Sequence, residues 1–178
     1  MRSYLVLLAC VALLVAGAIV TAGNLNPPAG PVTPTMKSLD EIEPRTAISA
    51  TNTPGDAGAL FRITQPGSYY LTGNLTGVTG KHCIEFGTDG ITLDLNGFAL
   101  IGVTGSLSGV YINSDRATVR NGTIHNFKVG IDAYEAAGAR FQNLTVTSSD
   151  NQNFRASVGA ILENCFSEYG TIGFDVFQ

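Results

Sequence analysis

The stretch ATVRNGTIHNF, residues 117–127, has the order strand, asparagine, strand, and related stretches recur along the chain. The other copies are ITLDLNGFALI (91–101), ARFQNLTVTSS (139–149) and AILENCFSEYG (160–170). The asparagines that these copies share are 25, 22 and 21 residues apart, and they are Asn96, Asn121, Asn143 and Asn164. Self-similarity at such a period indicates stacked units that cannot bury an apolar face alone.

A second short strand recurs between these stretches. Its copies are CIEF (83–86), GVYI (109–112), GIDA (130–133), GFDV (173–176) and a weaker one, NFRA (153–156). Every repeated unit consists of short strands, and none has helical periodicity. We therefore predict an all-β parallel solenoid of about four and a half coils with three strands per coil. An antiparallel β-sandwich with accidentally similar hairpins is the alternative.

The asparagine suits a corner between two strands, because it enters the left-handed region of backbone space at modest cost. Stacked asparagines can also hydrogen-bond each other along the solenoid axis. Strict alternation within the second strand predicts that Ile84, Val110 and Ile131 point inward. The same alternation predicts that Cys83 points outward, whereas Cys165 points inward on another sheet. The two thiols are then too far apart for a disulfide.

The chain divides into four segments by composition. Met1–Ala22 predicts a secretory signal, with Arg2, a long apolar run and a small-residue cleavage site. An uncleaved anchor and a lipoprotein site at Cys10 are weaker alternatives. Residues 23–58 form a Pro-rich linker, residues 59–80 form N-terminal cap strands, and residues 81–178 form the coils. The expected location is secreted, extracellular, periplasmic or in the cell envelope.

The last residues, GFDVFQ, begin another coil strand, so the C-terminal end is expected to be open or truncated. That end would lack further coils or meet a protein partner.

The charge pattern excludes several classes of function. The net charge is −4, only 13% of residues are charged, and there is no basic stripe, so nucleic acid is not an expected partner. The two histidines, His82 and His125, fall on different sheets and form no pair. Motifs for Ser/His/Asp catalysis, zinc binding or phosphate binding are absent.

One outward row offers a candidate binding surface. Alternation places side chains suited to a linear sugar chain in this row, and they are Glu85, Tyr111, Asp132, Arg155 and Asp175. Beside the row, alternation places a flat strip of small residues, which are Cys83, Gly109, Gly130 and Gly173. The alternative is a solvated outer face whose small residues only allow tight stacking.

Two further columns contain charged residues. Asp89, Asp115 and Glu135 lie on the turn after this strand in consecutive coils, where a bridging Ca²⁺ would relieve their repulsion. Ordinary turn chemistry explains them equally well. The column of Asp94, Arg120, Gln142 and Glu163 indicates cross-strand charge complementation, which is structural.

Three stretches carry a resemblance to a known superfamily. MKSLDEIEPRT (36–46), ITQPGSYYLTGNLTG (63–77) and ITLDLNGFALIG (91–102) resemble secreted bacterial right-handed parallel β-helix proteins of the pectate-lyase-like superfamily. The resemblance implies a right-handed helix and a substrate lying along the sheet of the outward row. It also implies that an enzyme would use an arginine or lysine near acidic Ca²⁺ ligands, for which Arg120, Arg140 and Arg155 are the candidates. Members without assigned chemistry are common, so the resemblance is weak for activity.

These patterns together predict a secreted or cell-envelope module that binds a polysaccharide or cell-surface glycan without catalysis. One alternative is the N-terminal part of a polysaccharide lyase or related carbohydrate-active enzyme. Another is a structural spacer or adhesion module. No cofactor is expected apart from Ca²⁺ at the acidic column.

Overall fold

The computed structural model of the protein describes residues 43–176. The predicted signal segment, Cys10 and most of the predicted linker lie outside these residues. The described strands are β1 (Thr46–Ala47), β2 (Ala59–Ile63), β3 (Gly67–Tyr70), β4 (Leu75–Thr76), β5 (His82–Phe86), β6 (Ile91–Asp94), β7 (Ala99–Ile101), β8 (Ser108–Ile112), β9 (Thr118–His125), β10 (Val129–Ala133), β11 (Arg140–Thr147), β12 (Gln152–Ala156), β13 (Ile161–Glu163), β14 (Phe166–Glu168) and β15 (Ile172–Val176). No helix in this part of the chain is long and apolar enough to span a membrane.

The strands form two sheets that run the length of a solenoid. The nine-stranded sheet, here sheet A, has the order β1-β3-β6-β9-β11-β13, with β4, β7 and β14 joined to it. The six-stranded sheet, here sheet B, has the order β2-β5-β8-β10-β12-β15. Every ladder between these strands is parallel. The prediction of a parallel β-helix is therefore confirmed, and the pairing fits a right-handed coil.

The solenoid has about six turns, more than the four and a half that the repeat predicts. The additional coil comes from the segment before the first clear repeat. Strand β2 pairs in parallel with β5, and β3 and β4 pair in parallel with β6 and β7. Residues 59–80, which were predicted to be cap strands, thus form a coil of their own, because Pro66-Gly67 turns the chain between sheets and not back on itself.

The corner asparagines form the predicted ladder. Asn121, Asn143 and Asn164 have φ angles of 60°, 53° and 53°. Asn143 Nδ2 donates a hydrogen bond to Asn121 Oδ1 at 3.1 Å, and Asn164 Nδ2 donates to Asn143 Oδ1 at 3.2 Å. Each side chain therefore stabilises a strained corner and also links one coil to the next.

The ladder ends on Asp94 and not on Asn96, because the corner of that coil is longer. Asp94 pairs with Arg120 and Ala99 pairs with Thr123, so residues 95–98 stand opposite residues 121–122. Asn121 Nδ2 donates to Asp94 Oδ1 at 3.1 Å, while Asn96 turns toward the Leu71 carbonyl. This corner is thus two residues longer than the next one, and Asn96 stands one residue out of line with Asn121, as the longer ITLDLN stretch predicts.

A second left-handed corner was not predicted. Asn126, Ser148 and Tyr169 have φ angles of 64°, 56° and 54°, and they follow β9, β11 and β14. The residue types differ from coil to coil, so no repeated letter marks this corner in the sequence.

A single apolar core fills the interior of the solenoid. Layers of aliphatic and aromatic side chains stack along the axis, and the largest fully buried ones include Phe86, Phe127, Phe141 and Phe154. Phe141 and Phe154 come from different sheets, and their rings lie 6.0 Å apart. The interior is therefore held by contacts between successive coils, as a solenoid requires.

The two described cysteines are free, as predicted. Cys165 packs partly against the core, which agrees with the inward prediction. The outward prediction for Cys83 is wrong, because this side chain is 0% exposed and lies in the core. Burial raises the pKa of the Cys83 thiol to about 12, so it is an unreactive packing group at neutral pH.

Removing one aromatic ring tests the register of β11. Phe141 is fully buried, so Phe141→Ala is expected to reduce the free energy of unfolding by about 3–5 kcal/mol. Arg140 precedes it and is exposed, so Arg140→Ala is expected to cost less than about 0.5 kcal/mol. Urea denaturation followed by circular dichroism measures both. Equal losses would show that the inward and outward faces of β11 are assigned wrongly.

The carboxylate of Asp94 predicts a pH dependence of stability. Burial alone would raise its pKa, but hydrogen bonds from the Asn96 amide and Asn121 and the charge of Arg120 lower it overall. A lowered folded-state pKa means that the stabilisation is complete above the unfolded value, about 3.9, and is lost as the pH falls through the folded value.

Asp94→Asn is therefore expected to destabilise the protein at pH 6 and to have progressively less effect as the pH approaches about 2. Urea midpoints of both proteins across this range provide the measurement. A difference that stays constant with pH would contradict the assignment of this stabilisation to the ionised carboxylate.

Candidate functional site

The outward row predicted from the repeat lies on sheet B. Pairing places Glu85 beside Tyr111, Tyr111 beside Asp132, Asp132 beside Arg155, and Arg155 beside Asp175. Neighbouring members are one strand spacing apart, about 4.8 Å. Arg62 of β2 extends the row at its other end, because it pairs with Glu85. Arg62 was missed since residues 59–80 were not recognised as a coil.

A second outward row runs beside the first and begins with His82. The His82 ring stacks on the Tyr111 ring at a centroid distance of 4.4 Å and an angle of 16°. One ring face of Tyr111 is therefore covered by the imidazole of His82. Strand pairing places Ser108, Val129 and Gln152 in the same row, and these three residues line a shallow groove on this face of sheet B.

The strip of small residues faces the core, and its predicted position on the outer surface is wrong. A methyl group added to Gly109 would lie 2.5 Å from Ile124 Cγ2, and one added to Gly130 would lie 2.2 Å from Val146 Cγ1. A methyl group at Gly173 would lie 2.9 Å from Ser167 Oγ. Because these residues are small, side chains of sheet A such as Ile124 and Val146 pack closely against the strands of sheet B.

The physical reason lies near the start of the strands of sheet B, where the ladders skip the second residue of each strand. Two successive side chains point inward there, as shown by Cys83 with Ile84 and by Asn153 with Phe154, all at most 1% exposed. The residue before each pair then points outward, which brings His82 onto the same face as Tyr111. Strict alternation cannot predict this arrangement, although a repeated glycine at one strand position is a usable signal for it.

Ion pairs and hydrogen bonds connect neighbours along the outward row. Arg62 binds Asp56 at 2.7 Å and Glu85 at 3.2 Å. Arg155 lies 3.5 Å from Asp132. These pairs hold extended polar groups in fixed positions, as a preorganised binding surface requires.

Two more contacts complete the row near its far end. The Arg155 guanidinium lies 4.3 Å from the centre of the exposed Tyr134 ring, and Gln152 Nε2 donates to Asp175 at 3.2 Å. The arginine is thus oriented by a carboxylate and an aromatic face together.

Burial on this face shifts the pKa of two groups. Desolvation raises the pKa of Glu85, with Arg62 acting in the opposite direction. Desolvation also lowers the pKa of His82, although Asp132 acts to raise it. His82 is therefore neutral at pH 7. Because Nδ1 accepts a hydrogen bond from the Ser108 amide at 3.3 Å, the ring proton resides on Nε2.

A shallow groove of about 320 Å³ opens over this part of sheet B. Its lining contains donors, acceptors and both signs of charge: His82, Lys128, Asp132, Asn151, Gln152 and Arg155. Such a mixture suits a hydroxyl-rich ligand, whose groups donate and accept hydrogen bonds along one face.

In the acidic turn column, the carboxylates of Asp89 and Asp115 accept hydrogen bonds from backbone amides. Asp89 Oδ1 accepts a hydrogen bond from the Asp115 amide at 3.0 Å, and Asp115 Oδ1 accepts one from the Ala137 amide at 2.9 Å. Arg116 also lies 3.2 Å from Asp89. Within residues 43–176 there is no cluster of three or more His, Cys, Asp or Glu side chains arranged to hold a metal. The role of Ca²⁺ at Asp89, Asp115 and Glu135 stays a prediction.

The charged column on sheet A is structural, as predicted. Asp94 lies 3.1 Å from Arg120 and 3.3 Å from Arg45, and Gln142 donates to Glu163. Arg120 and Arg140 belong to this sheet, so Arg155 is the one lyase candidate on the face of the outward row. His125 also lies on sheet A, away from His82.

Comparisons with known proteins give no relative for this chain. No protein-family model matches it, and neither a curated protein nor a solved structure is significantly similar. The fold is therefore established by the strand pairing described above.

The buried glycine strip predicts a specific cost for adding a methyl group. Gly109→Ala is expected to lower the free energy of unfolding by about 1–3 kcal/mol, because the new Cβ would meet Ile124 and the Gly130 carbonyl. Gly73→Ala is the matched control, since a Cβ there meets nothing within 4 Å. Denaturant melts of both variants provide the measurement. If the two variants were equally stable, the strip would face solvent after all.

Proposed function

We propose that this protein is a secreted or cell-envelope module that binds glycan along the outward face of sheet B without turning it over. The observation that carries the proposal is the continuous row around the stacked His82–Tyr111 pair, with carboxylates and a guanidinium at fixed spacing on either side. Secretion is proposed from the signal-like segment 1–22. The resemblance to the pectate-lyase-like superfamily supports the same face as the binding face.

The row supplies the three kinds of contact that sugars need. The Tyr111 and His82 rings provide apolar surface for the C–H face of a sugar ring. Glu85 and Asp132 accept hydrogen bonds from hydroxyl groups, while Arg155, Gln152 and the Nε2–H of His82 donate them. Because the coils repeat about every 4.8 Å, the contacts recur along the axis and favour a linear chain over a compact ligand.

Charge on the row favours a neutral glycan. Glu85, Asp132 and Asp175 bring three carboxylates, and the arginines beside them are already engaged in ion pairs. A polyuronate would add like charges to this surface, so its binding would need a bridging Ca²⁺. EDTA is therefore expected to abolish binding to polyuronate and to spare binding to neutral glycans.

A carbohydrate-active enzyme is the second candidate, and one observation favours it. Burial raises the pKa of Glu85, with Arg62 acting against it, and Asp132 lies two strands further along the same row, so two carboxyl groups in different surroundings share this face. Release of a product from polysaccharide would favour this candidate over a pure binding module. If no glycan binds, the interpretation that is left is a structural spacer.

Tyr111→Ala tests the proposed function directly. Loss of the ring is expected to weaken retention on a bound polysaccharide by about 1–3 kcal/mol, or about 5- to 150-fold in Kd. Affinity electrophoresis and a glycan array, each with calcium and with EDTA, provide the measurement. Tyr169→Ala is the matched control, because this tyrosine is 78% exposed and lies at a corner away from the row.

Three results have different consequences. Equal retention of the two tyrosine variants would place binding elsewhere on the protein. An array without any bound glycan would contradict the proposal. A new reducing end or an unsaturated uronate in the product would replace the binding module with an enzyme.

A further inference from the structure

The corner that leads from sheet A back to sheet B changes in length along the solenoid. In two consecutive coils it is a loop, residues 77–81 and residues 102–107, and each loop begins with the sequence Gly-Val-Thr-Gly. In the next two coils it shortens to residues 126–128 and residues 148–151. The second long loop, here the step loop (residues 102–107), therefore protrudes beyond the shorter corners that follow it and forms a step.

Hydrogen bonds hold the step loop in a fixed shape. Thr79 Oγ1 of the preceding loop donates to the Thr104 carbonyl at 2.9 Å. Within the step loop, the Val103 amide donates to Ser106 Oγ at 3.0 Å, and Ser106 is only 2% exposed. At the base of the loop, Gly102 lies directly against a carbonyl of the next corner, where a Cβ atom would not fit. The step loop is therefore a preformed wall.

A cavity of about 520 Å³ lies in the step. This volume is within the range of small-ligand sites, about 300–1,000 Å³. The side chain of Val103 is 38% exposed and forms an apolar wall. Four polar side chains line the rest of the cavity, and they are Thr104, Asn126, Ser148 and Asp150. Within residues 43–176, none of these four side chains forms a hydrogen bond or an ion pair with another protein group, so their polar atoms are available to a ligand.

The step and the groove on sheet B are neighbours. Asn126 lines the step and Lys128 lines the groove, and Asp150 and Asn151 are divided in the same way. Two residues of extended chain span at most about 7 Å, a distance that a single sugar unit covers. Phe127, between Asn126 and Lys128, is 0% exposed, so its side chain does not separate the two sites. A ligand therefore passes from one site to the other over the backbone of the corner.

We propose that the glycan bound by sheet B is branched and that the step binds the branch. This inference rests on the proposed function. The main chain lies along the row of Glu85, Tyr111 and Asp132, and a short branch crosses the corner into the step. There Val103 contacts the C–H face of the branch sugar, and Asp150 accepts hydrogen bonds from its hydroxyl groups. Within the described part of the chain, the cavity is lined by no basic side chain, which favours a neutral branch over an acidic one.

Three pairs of neutral oligosaccharides test the proposal. Each pair consists of a linear hexasaccharide and the same chain with a single branch: mannohexaose with a galactosyl branch, xylohexaose with an arabinosyl branch, and cellohexaose with a xylosyl branch. In at least one pair, we expect the branched member to bind about tenfold more tightly or better, since two added hydrogen bonds of ordinary net strength have that effect. Isothermal titration calorimetry provides the dissociation constants.

Variants of the step separate branch binding from main-chain binding. Asp150→Ala and Thr104→Val each remove a hydrogen-bonding group, and both residues are exposed. Each variant is expected to lose most of the gain from the branch and to bind the linear chain as the unchanged protein does. Thr92→Val, the same change as Thr104→Val but on β6 outside the step, is the matched control. Tyr111→Ala is expected to weaken both members of a pair by the same factor.

The possible failures have different consequences. Equal affinity for linear and branched chains in every pair would overturn this inference and leave the proposed function intact. A gain that persists in both step variants would also overturn it, because the branch would then lie elsewhere. Failure of all the oligosaccharides to bind would contradict the proposed function and this inference together.

Discussion

The left-handed corner at Asn121, Asn143 and Asn164 fixes the register on which the rest of the structure depends. A sharp change of direction at the same point in every coil sets equivalent residues of the following strands over one another. The amide ladder connects these corners along the axis, so each coil positions the next. Both faces of the solenoid then repeat at the spacing of parallel strands.

The same register explains why the candidate site is a row. An outward side chain in one coil has its nearest neighbours in the coils before and after it. The functional groups of one strand position therefore form a row along the axis. Arg62, Glu85 and Asp56 form one charged group at one end, and Asp132 with Arg155 forms another further along. Between them stands the stack of the His82 and Tyr111 rings, which come from adjacent coils.

The repeat predicted more of the fold than of the site. A repeated asparagine with alternating apolar residues is enough to predict parallel coils, because few architectures need a left-handed residue at such a period. The first coil was not predicted, since Gly67 stands where the next coil has Ile91, and its corner asparagine, Asn74, follows β3 by four residues whereas Asn96 follows β6 by two. At the site, alternation placed Glu85 and Tyr111 correctly. It failed for Cys83 and Gly109, because two successive positions near the start of these strands face inward, and for that reason His82 was not recognised as part of the row.

The longer corner at residues 95–98 shows where this architecture absorbs insertions. Two additional residues there leave Asp94 paired with Arg120 and Ala99 paired with Thr123, so neither flanking strand shifts. The same two-residue insertion within a strand would shift its register and break its ladder, and a one-residue insertion would reverse its faces. Corners are therefore the positions at which a loop could be grafted, or natural length variation accommodated, while the stacked interior stays unchanged.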